Sequence, residues 1–165
     1  MSQSPRPKPN PSREKPSVSL RARALRLLAR REHTRLELKR KLAAHAVEAG
    51  ELENLLDELT ARGWLAEARV AEQVIHTRRR RFGSRRIREE LLARGVAEEV
   101  VAAALPQLKE GELDAARAIW RRKFKGPPGN RTEHARQVRF LQGRGFAMDT
   151  ILKVIRTSGA DDEDT

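Results

Sequence analysis

Cysteine is absent from the 165-residue sequence, and aromatic residues make up only 4% of it. Without thiols the chain can form no disulfide, no thiolate nucleophile and none of the common zinc frameworks. Their absence also fits a reducing compartment, so we expect a cytoplasmic protein. The two tryptophans and four phenylalanines fall at the ends of predicted helices or on apolar stripes. This predicts core packing rather than exposed rings on which single-stranded bases stack.

Long apolar runs are also absent. A segment that crosses a bilayer needs about 18 apolar residues, whereas the longest run here, 100–105, has six. Residues 1–17 are rich in proline and basic residues, and they contain no apolar segment of the kind that a secretory signal needs. We therefore expect no contact with a membrane and a disordered basic tail over 1–17.

Recognisable catalytic and metal-binding motifs are missing as well. The four histidines are scattered, and no His-x-x-x-His pair places two imidazoles on one helical face. Neither a phosphate-binding Gly-x-x-x-x-Gly-Lys loop nor a Gly-x-Ser-x-Gly elbow occurs. Glu89 and Glu90 are adjacent, and adjacent helical positions diverge by about 100°. The sequence predicts a non-enzymatic protein without a metal ion or cofactor.

Positive charge is the most prominent feature that the sequence does have. Lysine and arginine number 35 against 23 acidic residues, which gives a net charge of +12 and an isoelectric point near 11.2. Small domains usually carry a net charge of about 2–8 in magnitude. Such an excess favours polyanionic partners, because each neutralised phosphate releases condensed counterions. The alternative is a basic surface that only keeps the protein soluble.

Apolar residues recur at spacings of three and four, which is typical of amphipathic helices, and alternating β-branched runs are absent. The helical pattern returns with a period of about 45–50 residues. We predict an all-α fold of three tandem three-helix repeats, 18–65, 66–108 and 109–158, in an extended molecule with a thin core. An acidic tail, 159–165, is expected to be solvated; the alternative is an internal phosphate mimic that competes for the basic surface.

Capping signals set the expected helix limits. Thr34 and Glu37 have the spacing of a capping box, and Gly63 is suited to a left-handed C-cap. Ser84 is expected to cap a helix, and Pro106 to follow the end of one. The predicted helices span 20–31, 51–62, 66–81, 98–105, 112–124, 131–143 and 148–156, and two more open at Thr34 and Ser84.

Two pairs of similar motifs support the repeat. The segment 38–42 (LKRKL) matches 87–91 (IREEL), because both have an apolar residue at the first and fifth positions. Arg94-Gly95 matches Arg144-Gly145, and both pairs stand at the end of a second helix. The first repeat has no Arg-Gly at that place and has residues 43–50 instead. Its turn is therefore expected to differ.

Basic residues concentrate at the ends of the long predicted helices. The segment 78–88 (RRRRFGSRRIR) contains seven arginines in eleven residues and no acidic residue. Cations there would stabilise the helix C-terminus, but one or two would be enough for that. If the repeats stack regularly, the clusters form one basic stripe. The predicted binding residues are Arg78, Arg79, Arg80, Arg81, Arg85, Arg86, Arg88, Arg121, Arg122, Lys123, Lys125, Arg136, Arg139 and Arg144.

A helix-turn-helix that reads base sequence is the main alternative. Residues 34–42 could form its recognition helix, but the outward side chains Arg35, Lys39 and Arg40 include no asparagine or glutamine, which commonly read adenine. Contact with phosphates is therefore favoured over base recognition.

Three segments resemble the signature motifs of the RecX family of recombination regulators: 63–71 (GWLAEARVA), 83–96 (GSRRIREELLARGV) and 139–146 (RFLQGRGF). The resemblance implies three tandem three-helix repeats in a curved, elongated monomer. It also implies binding in the groove of the RecA–single-stranded DNA filament, and inhibition of filament extension, ATP hydrolysis, strand exchange and co-protease activity. A general nucleic-acid-binding helical module without RecA specificity remains the alternative.

Overall fold

The computed structural model describes residues 18–157, so both expected tails lie outside the described residues. This part of the chain contains α-helices, one short 3₁₀-helix at Ala43–His45 and no strand, which confirms the all-α prediction. The helices are α1 (Leu20–Leu28), α2 (Arg35–Leu42), α3 (Glu51–Ala61), α4 (Glu67–Arg78), α5 (Ser84–Ala93), α6 (Glu98–Ala103), α7 (Leu105–Lys109), α8 (Glu112–Lys123), α9 (Arg131–Gly143) and α10 (Met148–Thr157).

The buried apolar side chains form three separate clusters, one for each group of consecutive helices. We call these groups unit one (α1–α3), unit two (α4–α7) and unit three (α8–α10). Leu38 and Leu56 are fully buried in unit one, Ile87 in unit two, and Leu141 and Phe146 in unit three. Each core is small, so each unit depends on its neighbours for further burial.

Helix starts follow the capping signals in part. Thr34 Oγ1 accepts a hydrogen bond from Glu37 N (3.1 Å), and the Glu37 carboxylate accepts one from Thr34 N (3.0 Å), which confirms the capping box. Gly63 adopts φ +70°, the predicted left-handed C-cap. Ser19 and Asn130 cap α1 and α9, which the sequence interpretation did not assign.

Two helix limits were predicted wrongly in unit two. Gly83, not Ser84, is the N-cap of α5; Ser84 is the first helical residue and its buried hydroxyl donates to Glu112 of unit three (2.9 Å). The helix expected to end before Pro106 ends at Ala103, and Pro106 lies in the first turn of α7. A proline is tolerated there because the first-turn amides have no intrahelical acceptor.

The helices α1 and α4 end three residues earlier than predicted, at Leu28 and Arg78. In both cases the arginine-rich continuation forms a turn. In unit one the connection between α2 and α3 differs from the other units, as predicted, because it contains the 3₁₀-helix and a left-handed Gly50.

Units two and three are joined end to end through their second helices. Gly83 N at the start of α5 donates to Arg144 O just beyond α9 (2.9 Å), and Arg85 N donates to Gly145 O (3.1 Å). The free amides of one helix start thus meet free carbonyls of another helix end. The approach is so close that a Cβ on Gly83 would overlap the Gly145–Phe146 backbone.

Units one and two meet at the corresponding place, but side chains make the contacts there. Thr34 Oγ1 at the start of α2 donates to Arg94 O at the end of α5, and Arg94 also forms an ion pair with Glu37. Gly95 (φ +85°) packs against Leu36, as Gly145 (φ +82°) packs against Arg86. The two matching Arg-Gly motifs therefore occupy equivalent joints. We call the succession α9–α5–α2 the second-helix line.

Candidate nucleic-acid interface

A cleft of about 340 Å³ lies between units two and three, and its walls are basic. We call it the junction cleft. No acidic residue lines it, and its apolar surface comes from Ile119 and Phe140. Its five cationic residues, all among the predicted binding residues, are Arg80, Arg81, Arg122, Lys123 and Arg144.

These five residues are distant in sequence, and the joint between the units brings them together. Arg80 and Arg81 lie in the turn after α4, Arg122 and Lys123 in the last turn of α8, and Arg144 at the C-cap of α9. Arg144 Nη1 donates to Arg81 O across the joint (3.4 Å). The same end-to-end packing that connects α9 to α5 therefore closes one wall of the junction cleft.

The charge of the junction cleft is not compensated within the part of the chain that the structure describes. Arg80, Arg81, Arg122 and Lys123 are exposed and form no ion pair with residues 18–157. Like charges in a concave surface repel each other and raise the local potential. A bound anion with several charges, such as consecutive phosphates, would relieve this repulsion.

Aromatic stacking contributes little to this site. The half-buried Phe140 ring carries the Arg144 guanidinium 5.1 Å from its centroid, and it meets Phe124 edge-on with a centroid distance of 5.3 Å. Both contacts hold the ring in the structure, so its face is not free for a base. The chemistry of the junction cleft favours recognition of phosphate over recognition of bases.

Four further predicted binding residues, all outside the junction cleft, have partners that the sequence did not reveal. Arg78 pairs with Glu90 (3.2 Å) and Arg88 with Glu98, so the fold supplies acids that the segment 78–88 lacks. The guanidinium of Arg86 lies 4.6 Å from the Phe82 centroid, and that of Arg136 lies 5.7 Å from the Phe124 centroid. These residues contribute to packing.

The remaining predicted residues lie outside the junction cleft. Arg79 lines an adjacent groove that also contains Glu110 and Asp114, and Arg85 lines a shallow groove with Glu89 and Glu90. The structure therefore divides the predicted stripe into one purely basic cleft and two grooves of mixed charge, one of which shares Arg80 and Arg122 with the junction cleft. The other residues of the predicted set, which lie on α8, after it or on α9, are Arg121, Lys125 and Arg139.

Trp64 contradicts the expectation that all the aromatic rings pack in the core. Its side chain is 40% exposed and lies beside the Arg62 guanidinium, 5.8 Å from the ring. After the left-handed turn at Gly63, Leu65 is the residue that enters the core. The expectation is confirmed for Trp120, Phe124 and Phe146, whereas Phe82 and Phe140 are half-buried.

A chain of ion pairs crosses the joint between units one and two. Glu37 contacts Arg31 (2.9 Å) and Arg94 (3.9 Å), and Arg94 and Arg78 both contact Glu90. Burial tends to raise the pKa of Glu37, but hydrogen bonds from Arg31 and from Thr34 N outweigh it and lower that pKa below its ordinary value. The carboxylate therefore stays ionised at the joint.

His33, directly before this joint, is buried among the same elements. It is 2% exposed, its Nδ1 lies 3.0 Å from Arg31 O, and desolvation lowers its pKa. The hydrogen bond with Arg31 O and the charge of Glu37 oppose this lowering of the pKa, whereas the charges of Arg31 and Lys41 add to it. The neutral imidazole is the form that the folded protein favours.

The described residues contain no group of three or more histidine and carboxylate side chains arranged to hold a metal ion. Over 18–157 no helix combines the length and apolar character that a membrane span requires.

The predicted set of binding residues includes none from unit one, although its first helix is also basic. The segment 18–31 (VSLRARALRLLARR) contains five arginines and no acidic residue. The same signal that identified 78–88 was therefore present there. In the structure, several of these arginines lie together with cations from the end of α2.

The fold and the junction cleft together define a basic helical-repeat protein of three joined helical units, in which the third segment of unit two is divided into α6 and α7. Models of the first, second and third three-helix domains of RecX match residues 21–59, 67–105 and 110–155. The chain belongs to the RecX family.

Relatives with established family names are similar over most of their length. The chain is 50% identical over 139 residues to the regulatory protein RecX of Leptothrix cholodnii, covering 84% of this chain and 88% of the relative. It is 43% identical over 144 residues to that of Ralstonia nicotianae, covering 87% and 89%. The crystal structure of RecX from Lactobacillus salivarius superposes with a TM-score of 0.72 at 18% identity, covering 84% of this chain and 93% of that one, and supports the fold.

Proposed function

We propose that this protein is a non-enzymatic regulator that binds the RecA–single-stranded DNA filament in its groove and inhibits filament extension. Inhibition of ATP hydrolysis, strand exchange and co-protease activity follows, and with it control of DNA repair and the SOS response. The protein acts in the cytoplasm, as a monomer. Family membership supports a regulatory role, since the relatives are named regulatory proteins.

The junction cleft is the observation that carries the proposal. Five cations converge on it from two units, none of its lining residues is acidic, and its phenylalanine is already occupied by Arg144. Such a site binds phosphates without reading the bases. It therefore suits a DNA backbone whose sequence varies along a filament.

The mechanism that we propose is steric and electrostatic. The basic surface follows phosphates in the filament groove while other faces of the helical units touch the protein subunits. A chain lodged there blocks the addition and movement of subunits, so no covalent step is required.

The experiment compares RecA activity with binding to naked DNA. Substoichiometric protein at moderate salt is added to RecA on single-stranded DNA, and ATP hydrolysis and filament growth are followed. We expect both rates to fall. Unchanged rates would refute the proposal.

A general nucleic-acid-binding module is the second candidate, and the net charge of +12 favours it. Tight binding to naked nucleic acid with a steep salt dependence, together with no effect on RecA, would establish it instead.

A further inference from the structure

Unit one contains a second basic cleft, distinct from the junction cleft. It lies between α1 and the end of α2 and has a volume of about 350 Å³. Its floor is apolar and consists of Leu27 and the buried Leu42. No acidic residue lines it, and its basic residues are Arg23, Arg26, Arg30, Lys41 and His45.

On the opposite face of unit one, by contrast, the basic residues are paired with acidic residues. Where α1 and α2 face α3, the cations are neutralised: Arg21 pairs with Glu58 (2.7 Å), and Arg35 pairs with Glu53 and Asp57 (2.8 and 2.7 Å). Lys39 pairs with Glu53 and Arg62 with Glu58 in the same way. Within 18–157, the acidic residues of unit one that form ion pairs therefore lie on the α3 side of the unit or at the joint with unit two.

The cations of the second cleft have no such partners. Arg26, Arg30 and Lys41 are exposed and form no ion pair within the described residues, and Arg23 donates only to Val18 O (3.2 Å). Compensation of helix dipoles would account for one cation at each helix end. Dipole compensation does not explain why the other basic residues lie together in one concave surface.

We propose that this cleft, which we call the unit-one cleft, binds the phosphate backbone of nucleic acid as a second contact site. Along the second-helix line, α5 and α2 separate it from the junction cleft, and these helices are ~15 and ~12 Å long at 1.5 Å per residue. A ligand that occupies both clefts must therefore be an extended polyanion, not a mononucleotide. Nucleic acid has the required length and charge.

The inference deepens the proposed function, because it places a second DNA contact on the same protein. Phosphate is the chemistry that both clefts share. Binding at two separated points would fix the orientation of the chain along a strand, which one cleft of 340 Å³ cannot do alone.

The test uses the full-length protein and a dye-labelled oligothymidine of about 30 nucleotides, without RecA. In R26Q/K41Q we expect the slope of log K against log salt to become shallower by about 1.4, at ~0.7 per lost contact. At ~0.1 M salt this corresponds to a roughly 25-fold loss of affinity. The matched control is K109Q/K153Q, because both lysines are exposed, unpaired within 18–157 and outside every cleft described above.

Equal affinities and slopes for R26Q/K41Q and K109Q/K153Q would overturn the inference. So would unchanged oligonucleotide binding combined with lost binding to RecA filaments, because the cleft would then contact an acidic protein surface. If R26Q/K41Q loses its helical circular dichroism, the test is repeated with Arg30→Gln, because Arg30 lies beyond the end of α1. The expected change in the salt slope is then about 0.7.

The outcome also separates this inference from the proposed function. If the wild-type protein binds the oligonucleotide through the unit-one cleft but leaves RecA ATP hydrolysis unchanged, the proposed function fails and the inference stands. If RecA is inhibited and the two double variants bind DNA alike, the inference fails alone.

Discussion

At the scale of single residues, the junction cleft should be sensitive to charge. In R81E/R122E, two cations that line the junction cleft, one from unit two and one from unit three, become acidic. Neither residue forms an ion pair within 18–157, so the helical circular dichroism should be retained. We expect oligonucleotide affinity to fall at least tenfold relative to K109E/K153E, measured by fluorescence anisotropy. Loss of helicity would instead assign the two arginines to stability.

The glycines offer a second test at this scale. Gly145 has φ +82°, and a Cβ there would overlap Arg86, so Gly145→Ala should lower the free energy of unfolding by about 1–3 kcal/mol. Gly63 has a similar φ but open space around it, so Gly63→Ala should cost less, about 1 kcal/mol.

Gly143 is the control for both substitutions. It lies in α9 with nothing near its virtual Cβ, and Gly143→Ala should be neutral or stabilise by about 0.5–1 kcal/mol. Urea unfolding of the three variants gives the order. Equal values for Gly145→Ala and Gly63→Ala would show that the contact with Arg86 contributes nothing.

At the scale of elements, the start of α2 links stability to pH. Because burial lowers the pKa of His33 in the folded protein, protons bind the unfolded chain more readily. The contribution of the neutral ring is complete above the unfolded value of about 6.5 and is lost as the pH falls below it. We expect His33→Gln to lose less stability than wild type between about pH 7.5 and 5.5.

Urea titrations at the two pH values measure this difference, and the change with pH within each protein is the readout. Glu37, which also contacts this region, has a lowered pKa and titrates below its ordinary range, so it does not interfere there. The same loss of stability in both proteins would show that His33 is not responsible.

The sequence predicts elements better than it predicts sites, for physical reasons. Helical periodicity, the Thr34 capping box and the Gly63 C-cap depend on residues close in sequence, and all are found. Ser84 was misassigned because its hydroxyl partner, Glu112, is distant in sequence. The arginine run was visible, but only the fold shows that Glu90 neutralises Arg78 whereas Arg81 meets Arg122 in a cleft.

At the scale of the whole molecule, the distribution of charge predicts how binding responds to salt. If the five cations of the junction cleft each contact one phosphate of single-stranded DNA, log K should fall with log salt with a slope of about −3.5. The unit-one cleft would make the slope steeper. Anisotropy titrations of the wild-type protein over a range of salt concentrations measure it, and a slope near zero would exclude a phosphate-based interface.

The second-helix line also explains why the outer units differ from the middle one. In each joint, the Arg-Gly end of one second helix contacts the start of the second helix in the preceding unit. Within the described chain no unit precedes unit one, whose second helix closes with the 3₁₀-helix Ala43–His45 instead. No described unit follows unit three, and Asn130 caps α9 with its own side chain. At both outer ends of the second-helix line, the helix terminus is therefore closed by residues of its own unit. Adding a further unit would require replacing this local closure with a joint. An open helix end would expose unpaired backbone groups that can bind another chain.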